Sequence, residues 1–331
     1  MFKKGGADMA KDKKNDGNTV FEDSLTDYQG EGEVRIKNVR SSKRRKAENT
    51  VLVAVICICA AVLAVCIFLI ARNLSDKERG REVYDEAASM FNPEGIIDED
   101  ASQTKDDEEP MSLYDRLKKQ NEEEEDPDAD DKNSGISLDN LRASITWLKQ
   151  INDDVVGWIY VEDTTINYPL MRSTNGDDDY YLTHAYNGEY LSVGSIYMVS
   201  NCDPVPTNNY NTLIYGHNVV GGAMFHDVMK FLEQDFFDTH KVYIYTLDGV
   251  YVYQPFSLYK TTSDYKYIQT QFYNEQEFLD YAAEMKANSS LYSDLSIASG
   301  DTMITLSTCT GTGVVSNARY SLHAKLIDFI G

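Results

Sequence analysis

The 331-residue sequence predicts a mainly β fold with flanking helices, an eight-stranded barrel preceded by one transmembrane helix. Three observations predict it. Residues 51–71 form one apolar run of 21 residues without a charge. After residue 137 come eight short β-type runs separated by turn signals. Of the 23 Tyr, all but Tyr28, Tyr84 and Tyr114 lie beyond residue 135, which suits half-buried strands. Lys and Arg total 31 against 54 Asp and Glu, a net charge of −23. That balance excludes nucleic acid as a partner, since phosphate binding needs clustered cations.

Residues 1–50 are polar, rich in Lys, Asp, Asn and Gly, and lack sustained periodicity, so they read as a disordered cytoplasmic tail. As a helix, residues 51–71 are about 31 Å long, which matches the ~30 Å hydrocarbon core. Fifty residues precede the run, and a cleaved signal peptide has a shorter apolar region. Arg35, Lys37, Arg40, Lys43, Arg44, Arg45 and Lys46 crowd the N-terminal flank, so the positive-inside rule keeps that end in the cytoplasm. The expected location is therefore the cell membrane, crossed once, with everything after Arg72 outside. Cys57, Cys59 and Cys66 within the span read as small apolar fillers.

Residues 72–135 read as an acidic extracellular stalk that spaces the following domain without joining its chemistry. Between 98 and 131 there are sixteen acids and four bases, and like charges at that density repel. A short helix is predicted over 112–120. The acidic spacing lacks the Gly and terminal Glu of a calcium-binding EF-hand loop.

The folded domain is expected over 136–331. Ser137 caps a helix whose Leu138, Leu141, Ile145 and Leu148 recur at helical spacing. Strands follow at 155–161, 165–169, 194–199, 212–215, 241–247, 250–259, 301–308 and 319–327. Asp248-Gly249 marks a hairpin between two of them. Helices are predicted near 223–233 and 275–287. Eight short strands with few helices suggest a closed or nearly closed antiparallel-rich barrel.

Outside the span the Cys are Cys202 and Cys309, with no CxxC pair or Cys/His cluster. No zinc site, disulfide scaffold or cofactor is expected. Cys309 ends the run Thr305-Leu306-Ser307-Thr308 and leads into Thr310-Gly311, whereas a structural Cys prefers apolar neighbours. The residues alone leave a nucleophile and an inert thiol both open. A nucleophilic thiol needs a base or a cation. His184, His226 and His240 read as surface residues, and His323 lies about 13 Å along its strand from Arg319. His217, after Thr212-Leu213-Ile214-Tyr215-Gly216, sits at a strand mouth. Arg319 follows Cys309 at a hairpin-like distance, and as an isolated Arg it also reads as a surface charge.

The runs Tyr215-Gly216-His217-Asn218 and Thr305-Leu306-Ser307-Thr308-Cys309, with Arg319, resemble a class B sortase. So do Asn152-Asp153-Asp154-Val155-Val156-Gly157-Trp158-Ile159, Asp179-Tyr180-Tyr181-Leu182 and Gly194-Ser195-Ile196-Tyr197-Met198. The resemblance covers about residues 137–331 and implies a sortase-type barrel on the surface of a Gram-positive bacterium. It implies that Cys309 attacks a sorting motif of a secreted protein after Thr, that His217 is the general acid and base, and that Arg319 steadies substrate and oxyanion. It also implies that Leu182 and Ser307 line the substrate groove, with Asp178 standing where the family often has Asn. The implied partners are secreted proteins with a C-terminal sorting motif, an amine of a peptidoglycan precursor or a pilin as acceptor, and the membrane through the chain's own helix. Two rival readings remain. One is a surface cysteine peptidase that hydrolyses its thioester. The other is a non-catalytic binding module with Cys202 and Cys309 joined.

Overall fold

A computed structural model describes residues 39–91, 112–124, 138–219, 221–310 and 317–331. By internal contacts the chain divides into residues 1–64 and 65–331. Helix α1 (Val39–Met90) contains the apolar run, and every large apolar side chain from Val51 to Ile70 is exposed. It is a candidate membrane span by length and composition. The helix begins inside the segment expected to be a disordered tail, while residues 1–38 lie outside the described residues.

In the second unit eight strands close a barrel. They are β1 (Val155–Tyr160), β2 (Asn167–Arg172), β3 (Ile196–Met198), β4 (Asn211–Tyr215), β7 (Val242–Tyr245), β8 (Val250–Thr262), β9 (Met303–Cys309) and β10 (Ala318–Ile330). The barrel order is β1-β2-β3-β4-β9-β10-β8-β7, and a separate hairpin is formed by β5 (Asn218–Val219) and β6 (Ala223–Met224). Pairing is antiparallel except between β2 and β3 and between β4 and β9. The β7–β8 hairpin forms at Asp248-Gly249, where Thr246 N donates to Gly249 O at 2.9 Å.

Helix α5 (Glu275–Ala287) keeps its predicted bounds because both ends are chemically marked. Asn274 caps it by accepting from Glu277 N at 3.0 Å, and Glu275 and Glu277 favour the positive end of its dipole. It buries Phe278, Tyr281, Ala282 and Met285. Helix α3 (Leu138–Ile151) buries Leu141, Ile145 and Leu148, a stripe at helical spacing.

The helix expected near 223–233 takes a different form. β6 is followed by a 3-10 run, Phe225–Leu232, and then by α4 (Gln234–Thr239). Phe225, Val228 and Phe231 are buried at a spacing of three, the period of the tighter helix.

The expected stalk also differs from a free spacer. Val83, Tyr84, Ala87 and Phe91, and Leu113 and Leu117 of α2 (Leu113–Glu124), are buried in the barrel's core cluster. The Phe91 ring stacks on Trp158 at 4.4 Å and meets Tyr245 edge-on at 5.2 Å. Ser112 caps α2 by accepting from Asp115 N, and Tyr114 donates its hydroxyl to Asp328 at 3.0 Å. The core therefore draws on residues before 136, because apolar side chains at helical spacing are hidden among the charges of that stretch.

Candidate active site

The site is built where β9 lies between β4 and β10. In the β9–β10 register Cys309 is directly opposite Arg319. Thr310 N donates to Ala318 O at 3.2 Å, so the next pair is the hydrogen-bonded one and Cys309–Arg319 is of the open type. Open pairs bring Cα atoms to about 4.5 Å and hold facing side chains closest. On the other flank Tyr215 pairs with Ser307, and Gly216 N donates to Ser307 O at 3.2 Å. Two residues beyond each of these come His217 and Cys309. The three predicted residues thus lie at or just beyond neighbouring ends of the adjacent strands β4, β9 and β10.

The turn carrying His217 is tightly supported. A Cβ on Gly216 would sit 2.6 Å from the Phe225 ring, so only glycine lets that ring lie beneath the turn. Phe225 N donates to His217 O at 2.9 Å. His217 is half-buried and its Nε2 lies 2.8 Å from Leu182 O. Asn218 donates its side-chain amide to Cys309 O at 2.9 Å, and its Oδ1 accepts from His226 Nδ1 at 2.8 Å. That chain of bonds ties the Cys309 backbone to the β5–β6 hairpin. His226, expected at the surface, is half-buried and engaged.

Three tyrosine hydroxyls feel the charge of Arg319. Burial pushes the Tyr197, Tyr215 and Tyr267 phenols up, and the guanidinium charge pulls each of them part of the way back. With their pKa raised above the usual value of 10, they stay neutral near pH 7. Tyr197 and Tyr215 rings are 5.7 Å apart.

Of the predicted groove residues, Ser307 is fully buried, its Oγ 2.9 Å from the Tyr267 hydroxyl. Asp178 accepts from Ser200 N at 2.8 Å and so anchors the chain after β3. Leu182 is half-buried in a 3-10 turn, Tyr180–Leu182, and its carbonyl meets His217. The Thr310-Gly311 turn falls partly outside the described residues.

His323 lies apart from the thiol, opposite Thr305. Thr305 donates to Asn211 Oδ1 at 2.8 Å, so its oxygen accepts from His323 Nδ1 at 2.9 Å. Nε2 then accepts from the Ser321 hydroxyl at 3.0 Å. Complete burial lowers its pKa from 6.5 to about 3, so the ring is neutral at physiological pH. Cys202 is buried, and burial pushes its thiol up to about 11. Cys202 and Cys309 are both free thiols, against the reading that joins them.

A family model for the sortase domain matches residues 159–327, more than half of the chain. The chain belongs to the sortase family, in class B. It is 37% identical over 192 residues to sortase B of Listeria monocytogenes, covering 56% of this chain and 75% of that relative. Among solved structures it is similar to Bacillus anthracis sortase B, at 30% identity and a TM-score of 0.55, covering 77% of this chain and 99% of that one. It is also similar to a Staphylococcus aureus sortase B–substrate complex, at 34% identity and a TM-score of 0.52, covering 56% and 85%. By family this sortase is a cysteine transpeptidase with the eight-stranded barrel of the fold.

Proposed function

We propose that the chain is a membrane-anchored transpeptidase in which Cys309 is the nucleophile, His217 the general acid and base, and Arg319 the oxyanion and substrate ligand. The observation that carries this reading is the register that sets Cys309 between Arg319 and the strand end bearing His217. The donor substrate is a secreted protein with a C-terminal sorting motif. The Cys309 sulfur attacks the carbonyl carbon after the motif's Thr, and the oxyanion develops towards the cationic fork of Arg319. As the C–N bond breaks, His217 gives its proton to the leaving amine, and a thioester remains.

An amine of a peptidoglycan precursor or a pilin then attacks the thioester. Such amines are mostly protonated at pH 7, an unperturbed Lys having a pKa of about 10.4. The proton released on attack passes to His217, the new C–N bond forms, and the C–S bond breaks. One amide replaces another, with no oxidant and no net water consumed. A solved sortase B complexed with triglycine supports an amine acceptor for the relatives. The positive flank before residue 51 supports a cytoplasmic N-terminus and an extracellular barrel.

The test supplies the full chain in detergent with a library of sorting peptides. Each is run with and without oligoglycine, a diaminopimelate-type stem peptide or a pilin Lys peptide. Mass spectrometry should show a thioester on Cys309 and ligated product at the expense of hydrolysed peptide. Hydrolysis alone, at a rate indifferent to every amine, would make the chain a peptidase instead.

A further inference from the structure

His217 Nε2 lies 2.8 Å from the backbone oxygen of Leu182. A carbonyl oxygen only accepts, so Nε2 carries the hydrogen, and in the neutral ring Nδ1 keeps the lone pair. The nitrogen free for proton traffic at the thiol is then Nδ1. The oxygen that commits Nε2 is itself firmly seated. Leu182 N donates to Asp179 O at 3.1 Å, Thr183 N to Tyr180 O at 3.3 Å, and Ser195 N to Tyr181 O at 2.8 Å. Behind this turn lies Gly194, in the left-handed region at φ +58°. A Cβ there would sit 2.5 Å from Tyr181 O and 2.6 Å from Leu182 O, so the glycine passes directly against the two carbonyls.

Gly194 is held from its far side too. Tyr84 donates its hydroxyl to Gly194 O at 2.6 Å and shares a 2.9 Å contact with Ser195 Oγ, which donates to His184 O at 2.7 Å. Tyr84 belongs to α1, within the second unit, and is buried. A continuous set of contacts thus runs from Tyr84 through Gly194 and the Leu182 carbonyl to the imidazole.

We propose that the Leu182 carbonyl, seated by Gly194 and Tyr84, holds His217 as its Nε2–H form, so that Nδ1 is the atom that exchanges the proton during transfer. Gly194 and Tyr84 are positioning residues for the ring. The inference rests on the role assigned to His217 above, and it adds the working atom and its support. Gly194→Ala forces a side chain into a conformation that L-residues avoid and pushes the carbonyl away. Misplacing a catalytic group by 1 Å can cost roughly a hundredfold in rate. Tyr84→Phe removes one hydroxyl and perturbs the same path more gently.

The experiment uses the full chain in detergent, labelled with 15N at histidine, with His217 assigned by the signal lost in His217→Ala. The wild type, recorded at alkaline pH, should show a slowly exchanging Nε2–H with Nδ1 bare. In Gly194→Ala that signal should broaden into exchange with water. Its kcat should fall ten- to a hundredfold with KM nearly unchanged, and Tyr84→Phe should fall a few-fold in the same sense. The wild-type spectrum needs no substrate, so it reads on the proposal even if no sorting peptide is turned over. A hydrogen on Nδ1 with Nε2 bare, or a Gly194→Ala protein that folds with unchanged signal and kcat, would overturn it.

Discussion

Replacing His323 with Gln should flatten the acid side of the domain's stability curve. In the native state the ring is fully buried between hydroxyls of Thr305 and Ser321 and is stacked on Tyr259 at 5.5 Å. Burial lowers its pKa from 6.5 to about 3, so between those values the unfolded chain binds a proton that the native chain refuses. Stability then rises with pH across that window, is fully present above 6.5 and is progressively lost as pH falls towards 3. At about 1.4 kcal/mol per pH unit, moving from pH 7.5 to 5 costs about 2 kcal/mol through this one side chain. Gln cannot titrate and keeps a donor and an acceptor for the two hydroxyls. Urea unfolding of the full chain in one detergent, at both pH values, measures the difference for wild type and variant. Every other titrating group cancels between the two proteins. The variant is expected to lose some stability at pH 7.5, from the altered stack, yet to show a drop on acidification smaller by about 2 kcal/mol. An identical acid slope in both proteins would show that His323 is not held neutral.

Cys309→Ala should abolish thioester formation on any sorting peptide while the melt stays nearly unchanged, whereas Cys202→Ala should retain activity; mass spectrometry and a thermal scan read both. His217→Ala and Arg319→Ala should each lose at least about a hundredfold in kcat/KM, and Arg319→Lys should recover only part, because an ammonium lacks the planar fork. A greater loss in His323→Ala than in His217→Ala would move the assigned base. Phe91→Ala should destabilise by about 3–5 kcal/mol, roughly 10 °C in Tm, since it empties the stack against Trp158. A chain shortened to begin at residue 134 should unfold more readily still, and one beginning at residue 73 should keep the full-length melt.

The barrel strands were legible because alternating Tyr and Val between turn residues encode a pleat directly, and Asp248-Gly249 marks its own hairpin. α5 was legible to the residue because Asn274 and the acids after it announce a helix start. The segment from 223 to 233 misled for a physical reason. Its apolar period is close to that of an α-helix, but Gly221, Gly222 and Met224 all take positive φ and turn the chain first. Strand-end position and spacing single out Cys309, His217 and Arg319 as candidates, and the family resemblance, not the spacing, supplies their proposed roles. Asn218, His226 and the Leu182 carbonyl were not readable, because they act through bonds between segments distant in sequence, and one of them is a backbone atom. Val83, Tyr84, Ala87 and Phe91 form a short helical stripe that a charge-rich neighbourhood conceals.

The parallel pairing of β4 with β9 makes the candidate site depend on contacts between segments distant in the chain. Asn218, next to His217, and Cys309 are 91 residues apart in the chain, and β9 must insert between β4 and β10 before they meet. Such non-local pairings form slowly, since loop-closure entropy is lost before the contacts form. A chain caught part-way through assembly carries its thiol without the neighbouring imidazole or guanidinium. On the roles proposed above, the Cys309 thiol therefore stays without its activating groups while the barrel is open. On those roles, closing the sheet and activating the thiol are one event.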